Sequence, residues 1–298
     1  MQPNPVLKKL GFSDDDRVVI IHTDDIGMCQ ASVSAFAEMV DYGLISSGAV
    51  MVPCPWFLEA AEYAASHPSA DIGVHLTLTS EWDTYRWGPL STRDPESGLM
   101  DDQGYFHKTS EAVWQHADPD TAIAELNLQV QRAIDAGMTL THIDTHMGSV
   151  AHPTLIPGYV QLATKFGLPL MIPRMSAEEL MVNQDVLSET AQMIAGMIQM
   201  LEEMGLPLLD RLSGLELVDA TDRFEQAKHA LGSLQPGLTH FIIHPSKDTP
   251  ELRRITDSWA CRVADYETFT SDATRQFIER EGIQVIGYAD LKALMPDL

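Results

Sequence analysis

Short apolar runs that alternate with segments of helical periodicity are the feature that most constrains the fold of this chain. The run from Val18 to Ile21 is β-branched throughout, which is typical of a strand buried on both faces. The predicted strands are 18–21, 48–53, 71–78, 139–146, 168–173, 215–219, 239–244 and 284–288. The predicted helices are 31–42, 56–66, 121–137, 155–166, 222–231 and 272–281. About eight strands in alternation with helices predict an α/β fold, a TIM-like (β/α) barrel or a close relative.

One long polar segment, residues 81–120, interrupts this alternation and contains three of the five tryptophans. Its aromatic residues argue against disorder, so we interpret it as an inserted loop or lid at the barrel mouth, within a single domain of residues 1–298. Flat aromatic faces beside acidic groups suit a sugar, which makes Trp82, Tyr85 and Trp87 candidate substrate-binding residues. An aromatic plug that covers one end of the barrel is the alternative, and one loop could serve both purposes.

The net charge limits the kinds of partner that this chain is expected to bind. Lys and Arg number 19 against 43 Asp and Glu, a formal net charge of -24, which disfavours binding to nucleic acid or to anionic membrane surfaces. Residues 1–16 lack the apolar core of a signal peptide, and no apolar run approaches the roughly 18 residues of a membrane span. The three scattered cysteines indicate reduced thiols. These features predict a cytoplasmic protein with a small-molecule substrate.

Polar residues with metal-binding or acid–base chemistry lie at the carboxyl ends of predicted strands, where a barrel brings them to one mouth. They are Asp24, Asp25, His75, His142, Asp144, His146, Arg174 and His244. One Asp and two His around a divalent cation form a common hydrolytic site with open positions for water and substrate. Asp25, His75 and His146 could supply that set from three strands. Taken singly, an Asp that caps a helix and a His that packs in the core are the alternative explanations.

The strand predicted at 139–146 carries three of these residues at alternate positions, so they share one face. His146 lies nearest the mouth and is the better ligand, His142 lies deeper behind it, and Asp144 could fix the tautomer of a ligating histidine. His244 stands at a strand exit, where it could protonate a leaving amine. The identity of the cation stays open, because a mixed carboxylate and imidazole set accepts zinc, manganese or magnesium.

The other histidines and a row of methionines are interpreted as structural features. The surface or structural histidines are His22, His67, His107, His116, His152, His229 and His240. Met193, Met197, Met200 and Met204 recur at helical spacing, and core packing is the predicted role of the helix face that they form. A subunit interface, as in a homodimer, or a mobile lid is the alternative.

Four motifs, in this order, resemble those of the YdjC/ChbG (HpnK-like) carbohydrate deacetylases, which are distant relatives of the NodB-type polysaccharide deacetylases. The motifs are Thr-Asp-Asp-Ile-Gly at 23–27, Gly-Val-His-Leu-Thr-Leu at 73–78, Thr-His-Ile-Asp-Thr-His at 141–146 and His-Pro at 244–245. The resemblance extends from Val18 to about Tyr288. It implies an irregular parallel barrel, one divalent metal ion and removal of an N-acetyl group from an amino sugar such as a chitooligosaccharide.

The resemblance also implies roles for individual residues. The metal ligands are Asp25, His75 and His146, the catalytic base is Asp24, the histidine opposite it is His244, and the active-site arginine is Arg174. Family members usually have Asn-Ala-Asp-Asp-Phe-Gly, whereas this chain has His22, Thr23 and Ile26. Many members also have further histidines after the position of His146, where this chain has Met-Gly-Ser. These departures leave the predicted chemistry intact but leave the identity of the sugar open.

The expected reaction uses a water activated by the cation, with Asp24 as the base and His244 as the acid. Two other functions stay open. A metal-dependent phosphoesterase could use similar ligands, although it would be expected to place more basic residues at the mouth than Arg174 supplies. A non-catalytic carbohydrate-binding protein would use the tryptophan-rich loop and would need neither a cation nor a base.

Overall fold

In the computed structural model, which describes residues 3–183 and 187–296, parallel strands pair into one seven-stranded sheet. The strands are β1 (Arg17–Ile26), β2 (Ser47–Val50), β3 (Ile72–Leu76), β4 (Ile143–Thr145), β5 (Arg211–Gly214), β6 (Gly237–Ile243) and β7 (Gln284–Val285). Their order is β4-β3-β2-β1-β6-β5, and β7 pairs with the first part of β1. The sheet forms a half-barrel, which is consistent with the predicted TIM-like α/β fold. The ends of the predicted 1–298 domain lie outside the described residues.

Helices occupy most of the connections between these strands. They are α1 (Pro5–Lys9), α2 (Gln30–Tyr42), α3 (Phe57–Ser66), α4 (Ser110–His116), α5 (Pro119–Asp135), α6 (Ile156–Phe166), α7 (Ala177–Asn183), α8 (Ser188–Glu203), α9 (Arg223–Gly232), α10 (Pro250–Ile255), α11 (Trp259–Phe269), α12 (Asp272–Arg280) and α13 (Tyr288–Lys292), with 3-10 turns at Pro95–Ser97 and His146–Gly148. The predicted end of α2 is confirmed at Gly43, whose φ of 76° provides the left-handed C-cap. Among the described residues, no helix combines the length and the apolar character needed to cross a bilayer.

β1 is the central strand, and its sequence explains why. It pairs with β6 from Arg17 to Thr23, and its second half pairs with β2 from His22 onwards. A strand with neighbours on both edges and packed layers on both faces is buried throughout, as its β-branched run predicts. Because every pairing in the sheet is parallel, the carboxyl ends of the strands lie at the same edge.

Several strand predictions differ from the structure. Only Ile143–Thr145 of the predicted strand 139–146 and Gln284–Val285 of the predicted strand 284–288 are strands. Residues 168–173 form isolated bridges to Ile143 and Leu209 rather than a continuous strand. The strand predicted at 215–219 is wrong, because β5 lies at Arg211–Gly214. β5 pairs with β6 and its first two residues are exposed, so it lacks the continuous apolar run that marks a buried strand.

Three of the four methionines on the methionine-rich face are exposed and the fourth, Met197, is partly buried, which contradicts the predicted packing of this face in the core. The exposed fractions of Met193, Met200 and Met204 are 57%, 50% and 40%. The residues of α8 that are buried are Ala191, Ile198 and Leu201. Both faces of this helix carry apolar residues, so periodicity predicts the helix but does not reveal which face packs against the core.

Candidate metal and catalytic site

The carboxyl ends of four strands meet around one cavity of about 300 Å³, which we call the catalytic cavity. Asp24 and Asp25 reach it from β1, His75 from β3, His146 from the turn after β4, and His244 from the residue after β6. The rest of its described lining is Glu81, Trp82, Met147, Leu217, Thr256, Ser258 and Arg262. Residues that are distant along the chain therefore share one site, as the alternation of strands and helices leads us to expect.

The end of β1 departs from regular strand geometry at the two carboxylates. The register against β2 shifts between Thr23 and Ile26. Asp25 has a φ of 62°, in the left-handed region that a non-glycine residue rarely adopts. In a regular strand, the side chains of Asp24 and Asp25 would face opposite sides. The irregularity brings both to the same cavity, and strain of this kind is common at functional sites.

Asp25, His75 and His146 each present one ligand atom, and these atoms lie within 4.8 Å of one another. Oδ1 of Asp25 lies 3.6 Å from Nε2 of His75 and 3.1 Å from Nδ1 of His146. Such separations suit donors that each lie roughly 2.0–2.2 Å from one shared ion. Oδ1 of Asp25 is buried and, although Nδ1 of His146 lies 3.1 Å away, it has no well-oriented hydrogen bond among the described residues, so it is available to a metal ion. The donor set therefore fits a divalent metal ion.

Each candidate histidine ligand contacts a second carboxylate through its other ring nitrogen. Nδ1 of His75 lies 2.8 Å from Oδ1 of Asp144, the kind of contact expected of Asp144 from the sequence. Nε2 of His146 lies 3.2 Å from Oε2 of Glu81. Ligating histidines commonly donate their second N–H to a carboxylate, which fixes the tautomer and the ring orientation. The sequence does not single out Glu81, because nothing in its local pattern distinguishes it from a surface acid.

Neighbouring groups of opposite charge shift the pKa values of Asp25 and His146. Burial alone would raise the pKa of Asp25, but the guanidinium of Arg262 holds that pKa well below its usual value. Nη1 of Arg262 lies 2.7 Å from Oδ2 of Asp25. Burial alone would lower the pKa of His146, yet the charges of Glu81 and Asp25 raise that pKa to about 10. A cation that binds here therefore competes with a proton for His146.

Arg262 belongs to α11, a helix that sequence analysis did not predict. Its side chain is buried and forms an ion pair with Asp25. Trp259, Val263 and Tyr266 recur at the spacing of one helix face, so the signal for α11 was present in the sequence. The contact with Asp25 could not be read from that spacing, because it joins residues 237 positions apart.

Asp24 is held by a histidine that sequence analysis left out of the site. Nδ1 of His22 lies 2.7 Å from Oδ1 of Asp24, and His22 is fully buried. Oδ2 of Asp24 lies 3.7 Å from Nε2 of His75 and 3.9 Å from Nε2 of His244, beyond hydrogen-bond distance. Burial alone would raise the pKa of Asp24, but His75 and His22 hold it well below its usual value. Asp24 is therefore an ionised carboxylate with one anchored oxygen.

A layer of buried polar side chains lies behind Asp24. Nε2 of His142 lies 2.8 Å from Nε2 of His22, so His142, which the sequence placed deeper than the ligands, supports His22. Burial lowers the pKa values of His142 and His240 well below the usual range, so both imidazoles are neutral. His22, Asp24, Asp144 and His240 form a second group whose atoms lie close enough to hold a cation.

His244 is positioned by a contact from α11. Its backbone N–H donates to Oδ2 of Asp265 at 2.9 Å, and Oδ1 of Asp265 accepts from Nε of Arg223 at 2.6 Å. Burial lowers the pKa of the His244 imidazole, although the charges of Asp25 and Asp24 oppose that change. The side chain keeps 21% of its surface exposed. An imidazole fixed at its backbone and open to the cavity is suited to proton exchange with a bound molecule.

Arg174, the predicted active-site arginine, is not among the residues that line the catalytic cavity. Its Nη1 lies 3.1 Å from Oδ1 of Asp210, and its Nη2 lies 2.9 Å from Oε1 of Glu202. It lines a different cavity of about 580 Å³ with Asp210 and Gly237, next to the starts of β5 and β6. Because 168–173 is not a continuous strand, the residue after it is not delivered to the mouth. This placement does not support the predicted catalytic role of Arg174, which stays a prediction.

Of the three predicted sugar-contacting aromatic residues, Trp82 lines the catalytic cavity. The guanidinium of Arg262 lies 5.9 Å from the ring centroid of Trp82. Trp87 is 3% exposed, and its Nε1–H donates to a backbone carbonyl at 2.8 Å. The hydroxyl of Tyr85 donates to another backbone carbonyl at 2.6 Å. Trp87 and Tyr85 thus support the wall that carries Trp82, and sugar contact stays a prediction for Trp82.

Known proteins are similar to this chain in sequence, and a solved structure is similar to it in fold. A model of the YdjC-like protein family matches residues 18–280. The chain is 33% identical to a carbohydrate deacetylase of Thermus thermophilus, over 92% of this chain and 93% of that protein. It is 25% identical to a carbohydrate deacetylase of Thermoanaerobacter pseudethanolicus, over 93% of this chain and 100% of that protein. The crystal structure of a proposed cellobiose-phosphate cleavage protein from Enterococcus faecalis has the same fold, with a TM-score of 0.74 at 23% identity, over 93% of this chain and 99% of that one.

Proposed function

Because this chain belongs to the YdjC-like protein family, we propose that it is a carbohydrate deacetylase that removes the N-acetyl group of an amino sugar with the help of one divalent cation. The activity in the names of its relatives supports the proposal. The observation that carries it is a group of three donors that could hold a cation, Asp25, His75 and His146, beside the carboxylate of Asp24.

The proposed ligands would hold zinc or magnesium, since one Asp and two His accept either ion. Asp144 and Glu81 would fix the two imidazoles in their ligating orientation. When bound, the cation polarises the amide carbonyl of the substrate and acidifies water. Hydrolysis then needs no serine or cysteine nucleophile.

Asp24 acts as the general base in this proposal. His22 anchors its Oδ1, which leaves Oδ2 to accept the proton of the hydrolytic water. The lowered pKa of Asp24 keeps the carboxylate ionised, and so able to accept a proton, at neutral pH. General bases of this kind typically contribute about 10²–10⁴-fold to the rate.

His244 acts as the general acid. As the bond between the carbonyl carbon and the amide nitrogen breaks, Nε2 of His244 gives its proton to that nitrogen, which leaves as the amine of the sugar. Burial lowers the pKa of His244, so its protonated form is a stronger acid than a solvated imidazolium. Nε2 lies 3.9 Å from Oδ2 of Asp24, so the acid and the base reach the same small volume.

The charge of the catalytic cavity favours a neutral acetamide over a phosphoester. Arg262 is the lone Lys or Arg in the described lining, and it is already paired with Asp25. Even with the proposed cation bound, a phosphate would meet the carboxylates of Asp24 and Glu81, and the described lining offers no unpaired Lys or Arg to offset them. An uncharged acetamide does not incur that repulsion.

The test is acetate release from N-acetylated mono- and oligosaccharides by protein that has been stripped with chelator and reloaded with zinc, manganese or magnesium. We expect release from the reloaded wild type and not from the stripped protein. Phosphate release from sugar phosphates is measured in parallel. Phosphate without acetate would favour a phosphoesterase, and sugar binding with neither product nor bound metal would favour a binding protein.

A further inference from the structure

A second cavity, of about 530 Å³, adjoins the catalytic cavity; we call it the apolar cavity. Met147, the residue after His146, lines both cavities, and Thr145, the residue before His146, lines the apolar one. Met147 has a φ of 50°, and its side chain is 48% exposed. The two cavities therefore share a lining residue that directly follows a candidate metal ligand.

The lining of the apolar cavity is suited to hydrocarbon. In its described part there is no Asp, Glu, Lys or Arg, although these residues make up 21% of the chain. Prominent members are Ile156 from α6, Leu180 from α7, and Ile194, Met197 and Ile198 from α8. Its volume lies within the roughly 300–1,000 Å³ of small-molecule sites. Sugar hydroxyls would lose hydrogen bonds to water on such a surface, whereas alkyl groups would gain by leaving water.

We infer that the apolar cavity binds an apolar aglycone, so that the substrate is an N-acetylated amino sugar that carries a hydrocarbon group. The inference rests on the proposed deacetylase function, because it places the sugar of that reaction in the catalytic cavity. Because Met147 lines both cavities, the sugar would lie on one side of that residue and its aglycone on the other. Methionine side chains such as those of Met171 and Met197 adapt to alkyl groups of varied shape.

A second copy of this chain is the main rival occupant. Met193 and Met200 lie on the exposed face of α8 and do not line the apolar cavity. Met197, on the same helix, does line it. Because these methionines share one helix face, a partner that docked on Met193 and Met200 would border the cavity, and the experiment below distinguishes the two occupants. The concave volume beside the catalytic cavity, and not the exposed face, carries the inference.

The experiment compares the octyl and methyl glycosides of N-acetylglucosamine, each below its critical micelle concentration, as substrates of the metal-loaded protein. Burial contributes about fourfold per methylene, so three to four buried methylenes of the octyl chain would raise kcat/KM about 100-fold over the methyl glycoside. The rate is followed as acetate release.

Matched variants locate the effect. Met197→Trp fills the apolar cavity and should lower the octyl-to-methyl ratio at least about tenfold. Met200→Trp introduces the same side chain on the exposed face of α8 and should leave the ratio unchanged. Should Met197→Trp fail to fold by circular dichroism, Ile194→Phe fills the same cavity and is judged by the same ratio.

Equal kcat/KM for the two glycosides in the wild type would overturn the inference but not the deacetylase function. Equal effects of Met197→Trp and Met200→Trp on the octyl-to-methyl ratio would have the same meaning. If neither glycoside releases acetate, the proposed function fails. Calorimetric binding of octyl glucoside then tests whether the apolar cavity takes an alkyl chain. Saturable binding that Met197→Trp abolishes would support the cavity, and no binding would overturn it. A dimer in solution that Met197→Trp disrupts would assign the cavity to a second copy and overturn it.

Discussion

The catalytic cavity and the apolar cavity are neighbours that are built in opposite ways. In the first, Asp25, His75 and His146 lie at strand ends, and each has a charged partner 2.7–3.2 Å away. In the second, residues of α6, α7 and α8 are held by apolar packing. Strand register and buried polar contacts fix the reacting groups closely, whereas packed helices can change what they accept without moving those groups.

Removal of a proposed ligand has the largest expected effect. Asp25→Asn should lose the bound cation and lower kcat/KM roughly 10³-fold, because the cation supplies several kcal/mol of transition-state stabilisation. Elemental analysis measures the metal, and acetate release measures the rate. Met200→Ala, on the exposed face of α8, is the control and should keep both. A full complement of metal in Asp25→Asn would remove the ligand assignment.

Removal of the proposed base separates chemistry from metal binding. Asp24→Asn should keep the cation, because Asp24 is not one of the three ligands, and should lower kcat by about 10²–10⁴-fold. Metal content and single-turnover acetate release are measured on the same preparation. Near-normal turnover with bound metal would show that another group accepts the proton.

The carboxylates that hold the two histidines should affect metal affinity more than the chemical step. Glu81→Gln and Asp144→Asn are each expected to weaken cation binding by about 10–100-fold. Titration with zinc in a competing chelator measures the affinity. Asp83→Asn, an exposed carboxylate near Glu81 with 84% of its side chain exposed, is the matched control. Equal losses in all three variants would mean that net charge, and not orientation of the imidazoles, sets the affinity.

Cation affinity should rise with pH. Glu81 and Asp25 raise the pKa of His146 to about 10 against the opposing effect of burial, so this imidazole carries a proton at neutral pH until a cation displaces it. Binding should therefore release about one proton, and affinity should rise up to about tenfold per pH unit between about pH 6 and 8. Calorimetry in buffers of different ionisation enthalpy counts the proton. Binding without proton release would contradict the assignment of His146 as a ligand.

The smallest expected effect lies on the exposed face of α8. Met200→Ala should change the free energy of unfolding by no more than about 0.5 kcal/mol, because the side chain is half exposed. Leu201→Ala, at the fully buried neighbouring position, should cost about 2–5 kcal/mol. Denaturant unfolding measures both. Similar losses would show that a second copy covers the methionine face in solution.

The two cavities differ in how much of their lining the sequence predicts. Asp25, His75 and His146 could be placed together because polar residues that end apolar strands are conspicuous and parallel strands end at one edge. The lining of the apolar cavity could not be predicted, since Ile194 and Ile198 look the same in sequence whether they face a cavity or a filled core.

Residues that reach the site from outside the strands were missed for a physical reason. Glu81 and Arg262 contact the ligands through the packing of a loop and of α11, which no local pattern encodes. For His22 a signal did exist, because residues two apart on a strand share a face, so His22 and Asp24 were bound to be neighbours. Arg174 does not line the catalytic cavity, and the strand predicted before it is only a pair of bridges.

The most direct test is an anomalous-difference map from a crystal of the zinc-loaded protein. We predict one peak within bonding distance of Oδ1 of Asp25, Nε2 of His75 and Nδ1 of His146. A peak among His22, Asp144 and His240 instead, or no ordered ion at either place, would contradict the proposed metal site.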